Sequence, residues 1–164
     1  MKNKSLFVKK MTALGMALMI LFASSATRVQ AAPTPALTPE QIEAAIEDAF
    51  AGLVSFDVQR VIQHYAADAV LEDPVGTPPM QGTQAITAYL ESFPTLFNQL
   101  KLYSLDIKVG GQEAGVAWRI RFTTKSGHTF FLEGIGHFRF NQDGKVQTEK
   151  QFFDLAYFLE QLQK

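Results

Sequence analysis

The stretch His64–Gly82, HYAADAVLEDPVGTPPMQG, decides how this chain is read. Asp68 to Pro74 forms a short strand, and Gly76 to Gly82 is a proline-rich turn. Successive side chains of a strand point to opposite faces, so only one of Glu72 and Asp73 can enter an interior. Asp73, at the strand end among apolar residues and against Pro74, is the candidate proton-transfer base. The plain alternative is an Asp-Pro turn whose carboxylate caps local backbone N–H groups.

Upstream, Thr38-Pro39-Glu40-Gln41 combines an N-cap, a proline at the first helical position and a capping-box glutamine. The helix that starts there carries Ile42, Ile46, Ala49, Phe50 and Leu53 on one stripe. Asp57 caps a second, short helix with Val58, Val61, Ile62 and, ending its inner face, Tyr65. Downstream, Thr83 opens a third helix with Ile86, Tyr89, Leu90 and Phe93 inward, until Pro94 disturbs it.

The remainder reads as four strands, Leu100–Val109, Gly115–Thr124, His128–Phe140 and Val146–Phe153, separated by turn signals and joined as antiparallel hairpins. Helices first and a meander last give an α+β domain whose curved sheet wraps the helices. In the third of these strands Phe130, Leu132, Gly134, Gly136, Phe138 and Phe140 share one apolar face, the expected concave one. Its two glycines either let the sheet bend, the more ordinary reading, or leave room for a ligand. In the second, Trp118, Ile120 and Phe122 go inside and Arg119 and Arg121 outside.

The N-terminus has the pattern of a secretory signal over residues 1–31: four lysines, an apolar run from Met11 to Phe22, and Val29-Gln30-Ala31 before the cut. Residues 32–37 are a Pro/Ala tether, and 38–164 form the single domain. The expected destination is the periplasm or the exterior, with no membrane span after cleavage. The signal takes five of the 15 Lys and Arg with it, leaving ten bases against 16 acids and a net charge of −6. That balance argues against a nucleic-acid partner. Without a cysteine there is no disulfide or thiol nucleophile, and three scattered histidines lack metal-ligand spacing. His64, His128 and His137 are expected on the surface, in turns or on the open sheet face.

The segment Tyr65–Pro74, followed by Gly76, Pro78-Pro79, Gly82 and Ile86, resembles the bacterial ketosteroid isomerases. The resemblance continues to Arg139-Phe140, Gly144, Val146-Gln147-Thr148 and Phe152-Phe153. It implies an NTF2-like (SnoaL-like) cone: three N-terminal helices packed in the concave face of a curved, mixed and mostly antiparallel sheet. It further implies a cofactor-free proton transfer with Asp73 as base, a small apolar ligand, and a homodimer paired through the sheet face around Phe131 and Ile135.

The resemblance breaks on the electrophilic side. The family's oxyanion tyrosine falls on Ala49, beside Phe50, its second donor on Gly136, and a third pocket tyrosine on Leu90, beside Tyr89. Only Tyr65 stays in place, a candidate donor. Losing two oxyanion donors without replacement removes roughly 5 to 8 kcal/mol of transition-state stabilisation. On the last strand the inward positions fall on Glu149, Gln151 and Phe153, which puts a carboxylate and an amide inside the cone. The more ordinary alternative is a strand near the rim with Glu149 in solvent. The pocket expected from all this is walled by Ala49, Phe50, Tyr89, Leu90, Trp118, Leu132, Gly136, Phe138, Glu149, Gln151 and Phe153. An enzyme lacking its oxyanion donors, a carrier of a small hydrophobic molecule and a dimerising interaction domain all remain open.

Overall fold

The structure, a computed structural model, describes residues 36–164. The expected signal and all but the last two residues of the tether lie outside the described residues. Helix α1 (Pro39–Ser55) starts at a closed capping box. The Gln41 N–H donates to Thr38 Oγ1 at 3.3 Å, and the Thr38 N–H donates to Gln41 Oε1 at 2.9 Å. The helix buries Ile42, Ile46 and Phe50, each worth about 1.5–3 kcal/mol relative to exposure. Asp57 caps α2 (Val58–Ile62) by accepting the Arg60 N–H at 3.1 Å. Gly52 lets the two helices touch, since a Cβ there would stand 2.9 Å from Val61 Cγ2.

Strand β1 (Tyr65–Glu72) begins earlier than expected. Tyr65 does not end a helix: the Val146 N–H donates to the His64 carbonyl at 2.8 Å, and Tyr65 pairs with Val146. A strand far along the sequence thus pulls the chain out of helical geometry. Two residues of the proline-rich turn, Met80–Gln81, form β2 against β1. Helix α3 (Gly82–Leu96) runs through Pro94, which sits in its last turn and forfeits the one bond its N–H would give the Leu90 carbonyl.

The four expected strands follow as β3 (Phe97–Gly110), β4 (Glu113–Thr124), β5 (Thr129–Phe140) and β6 (Val146–Phe152), an antiparallel meander. The sheet order is β2-β1-β6-β5-β4-β3, with β1 and β6 parallel. This is the α+β arrangement of a mixed sheet covered by helices, with α1 packed on β3 and α3 on β1. Along β4, Val116, Trp118, Ile120 and Phe122 are buried, and on β5 Phe130, Leu132, Phe138 and Phe140 are buried, as the alternation predicts.

A further helix, α4 (Leu155–Leu162), follows the sheet and was not expected. Asp154 caps it by accepting the Tyr157 N–H at 2.8 Å. Phe158 inserts among Phe97, Phe122, Phe130 and Phe153, with ring centroids 5.8 to 6.2 Å apart. Gln161 meets His128 Nε2 at 3.0 Å and ties the helix to the β4–β5 turn.

Candidate functional site

Asp73 follows the last residue of β1, where the turn is fastened to β6: the Val75 N–H donates to the Gln151 carbonyl at 2.8 Å. Glu72 points the other way and pairs with Lys150 at 3.4 Å, the outcome strand alternation requires. The Asp73–Pro74 bond is cis. The Asp73 carboxylate accepts the Tyr89 hydroxyl on Oδ2 at 2.9 Å. Oδ1 has no hydrogen-bond partner among the described residues, and Asp73 lines the pocket. Loss of hydration raises the Asp73 carboxyl to about 6 against the bond from Tyr89, which lowers it. The Tyr89 hydroxyl is itself pushed up by burial and by the neighbouring carboxylate.

Glu149 is inside, not at the rim, with 7% of its surface exposed. Its position on β6 lies beside Leu71 of β1 on one side and Phe138 of β5 on the other, so the sheet surrounds it with apolar side chains. Four side chains form one hydrogen-bonded chain. The Trp118 indole N–H donates to Gln151 Oε1 at 2.8 Å, and Gln151 Nε2 donates to Glu149 Oε1 at 2.6 Å. Glu149 Oε2 meets the Tyr65 hydroxyl. Burial pushes the Glu149 carboxyl up to about 7, with Asp73 adding repulsion and the bonds from Tyr65 and Gln151 opposing. Burial and the same carboxyl hold the Tyr65 hydroxyl far above its ordinary range.

One pocket joins both groups. Ala49, Phe50, Tyr89, Leu90, Trp118, Leu132, Phe138, Glu149, Gln151 and Phe153 line it as expected from the sequence, together with Tyr65 and Asp73. Gly136 does not line it: a Cβ there would stand 2.7 Å from Phe138 Cε2 and 3.0 Å from Gln151 Nε2, so the amide occupies that space. Gly134 likewise makes way for the Trp118 ring, whose Cζ2 would lie 2.3 Å from an added Cβ. The two glycines therefore make room for this chain's own indole and amide. Sheet curvature, the reading preferred above, misses that role.

Phe158 on α4 closes one side of the pocket and was missed; the spacing of Leu155, Phe158, Leu159 and Leu162 behind Asp154 carries the signal. The cavity is about 90 Å³, far below the roughly 300–1,000 Å³ of pockets that take drug-sized ligands. Small molecules fit, whereas anything larger requires the wall to move.

The histidines stand elsewhere. His64 Nε2 meets Asp48 at 2.7 Å beside Arg60, and His137 Nε2 meets Glu113 at 2.8 Å on the outer face. No cluster of three or more metal-ligating side chains occurs among the described residues, and no helix there is long and apolar enough to cross a membrane.

A family model for the SnoaL-like domain matches residues 46–148, the span that holds α1's inner turns, Asp73, the meander and the approach to Glu149. The chain belongs to the SnoaL-like domain family. Solved structures agree on the fold of this SnoaL-like chain. A candidate polyketide cyclase from Xanthomonas campestris pv. campestris superposes with a TM-score of 0.68 at 15% identity, covering 75% of this chain and 97% of its own. An NTF2-like protein of unknown function from Burkholderia pseudomallei gives 0.68 at 19%, covering 76% and 98%. TerC, co-crystallised with polyporic acid, gives 0.68 at 21%, covering 76% and 99%.

Proposed function

We propose that this SnoaL-like protein catalyses a cofactor-independent proton transfer on a small apolar carbonyl compound. One observation carries the reading: two carboxyl groups, Asp73 and Glu149, each bonded to a tyrosine hydroxyl, line a single apolar pocket. Asp73 is the base. Its free Oδ1 takes a proton from the carbon beside the carbonyl, while the Tyr89 hydroxyl steadies Oδ2. The electrons released move onto the carbonyl oxygen, and the donor side formed by Tyr65 and Glu149 meets the growing charge. Asp73 then returns the proton to another carbon of the same substrate, which leaves an isomer.

Glu149 and Tyr65 answer the loss seen at Ala49 and Gly136. A single preorganised donor is worth about 3 to 4 kcal/mol in the transition state, and the apolar wall strengthens it by excluding water. The cyclase description of one structural neighbour and the polyporic acid of another are in keeping with an organic carbonyl ligand.

The test is ultraviolet absorbance of cyclohex-3-enone converting to its conjugated isomer. Asp73→Asn is expected to lower kcat/KM by at least about 10²-fold, and an unchanged rate overturns the reading. The base must be ionised and the donor neutral, so kcat/KM is expected to rise through about pH 6 and fall through about pH 7.

The second reading, a non-catalytic carrier of a small hydrophobic molecule, is favoured by the almost wholly apolar wall that Phe50, Leu132, Phe153 and Phe158 provide. Native mass spectrometry of protein purified from its own host distinguishes the two: a co-purifying ligand with no turnover supports carriage. Export rests on the sequence of residues 1–31 and is part of this proposal. N-terminal sequencing of protein secreted by its host, beginning at Ala32, checks it.

A further inference from the structure

The Trp118–Gln151–Glu149–Tyr65 chain has a direction, and the chemistry of its first member sets it. An indole N–H donates and never accepts. Trp118 therefore faces the Gln151 carbonyl oxygen, which leaves the Gln151 NH₂ facing Glu149 Oε1. Oε1 must then accept, whatever the charge on Glu149. When Glu149 takes up a proton it can sit only on Oε2, the oxygen turned to Tyr65. Two hydroxyl hydrogens cannot occupy one contact. The Glu149 O–H then donates to Tyr65 Oη, and the Tyr65 hydrogen turns away into the pocket that the ring lines.

We propose that Trp118 and Gln151 are positioning residues that, acting through Glu149, make Tyr65 a hydrogen-bond donor to the ligand only when Glu149 is protonated. With Glu149 ionised, the Tyr65 hydroxyl is tied to the carboxylate. The site thus selects ligands presenting an acceptor oxygen, a carbonyl or phenolate, on an apolar body. Binding of such a ligand above the Glu149 midpoint draws in one proton from solvent. The inference rests on the proton-transfer reading for its use, but not for its geometry.

The titratable groups facing Glu149 are few. Tyr65 and Asp73 come from β1 and its turn and Tyr89 from α3, while β5 places Phe138 opposite and α1 brings only the apolar Ala49, Phe50 and Leu53 to the pocket. Asp73 opposes ionisation of Glu149, and Gln151 and Tyr65 favour it.

Nuclear magnetic resonance of the purified protein, labelled with ¹³C at the Glu carboxyl and the Tyr ring carbon bearing oxygen, tests this without any substrate. Glu149 and Tyr65 are expected to titrate together with one midpoint near 7. In Glu149→Gln the amide offers an N–H where the carboxyl offered O–H, so the Tyr65 resonance should hold its acid-side position from pH 4 to 9. In Trp118→Phe the Gln151 amide is free to turn and the proton can sit on Oε1, so the Glu149 midpoint should rise by about one unit and the Tyr65 step should shrink.

A Tyr65 resonance fixed at its alkaline position in Glu149→Gln overturns the inference. So does an unmoved midpoint with an unchanged Tyr65 step in Trp118→Phe, which is what a packing role alone would give. An inactive wild type showing these titrations removes the catalytic reading and leaves this one standing. Activity without them does the reverse.

Discussion

Gly136 shows how a missing methyl group places a functional side chain. Its Cα hydrogen faces the Gln151 amide and the Phe138 ring, so Gly136→Ala needs both to shift. The expected cost is about 1–3 kcal/mol, read as a lower urea midpoint. A larger signal belongs to Glu149. Its folded carboxyl titrates near 7 against an ordinary 4.5, so the folded protein holds this proton more tightly than the unfolded chain. The stability so gained is complete below 4.5 and is lost as the pH climbs through 7, up to about 3 kcal/mol. Asp73 acts in the same direction between 3.8 and about 6. Glu149→Gln carries no such loss, so urea unfolding should find the two proteins closer at pH 4 and the variant ahead at pH 8. The carboxylate at Asp73 was legible in the sequence because the turn around it is local. The inward turn of Glu149 was legible through the family resemblance alone, against a plainer place at the rim, because the glycine that makes room for its partner lies on another strand.

Elements with local punctuation were read almost to the residue. Thr38, Pro39 and Gln41 announce α1 by contacts within its own first turn, and Thr38→Ala is expected to cost about 1 kcal/mol, measurable by thermal unfolding. Tyr65 misled because Val58, Val61 and Ile62 continue a helical period into it, whereas the partner that makes it a strand is Val146. Helix α4 was passed over although Asp154 and the residues behind it carry the same grammar as α1. Phe158 gives that helix a use, since it packs the aromatic cluster and walls the pocket at once. Phe158→Ala is expected to lose about 2–3 kcal/mol of stability, below the usual cost of a fully buried ring. In exchange it should let the pocket accept bulkier ketones, seen as a lower KM for a two-ring enone than in the wild type.

At the scale of the whole domain the meander was legible and the closing pair was not. Hairpins follow from turns, but the parallel match of β1 with β6 depends on chain ends that no local pattern connects. The outer sheet face exposes Ile135 at 58% together with Phe131, Tyr103 and Phe152. The homodimer that the family resemblance implies through this face predicts that Ile135→Glu lowers the sedimentation coefficient of a wild-type dimer to that of a monomer. The β1–β6 pair also orders events in time. Tyr65 and Glu149 lie 84 residues apart, and contacts of such long separation form slowly. If the Glu149 carboxyl stays hydrated until β6 docks, the charge it carries at neutral pH weighs on the finished protein more than on the folding barrier. Interactions absent from that barrier act on unfolding. Raising the pH from 4.5 to 7 should then steepen the escape from the native state while folding from denaturant keeps its pace.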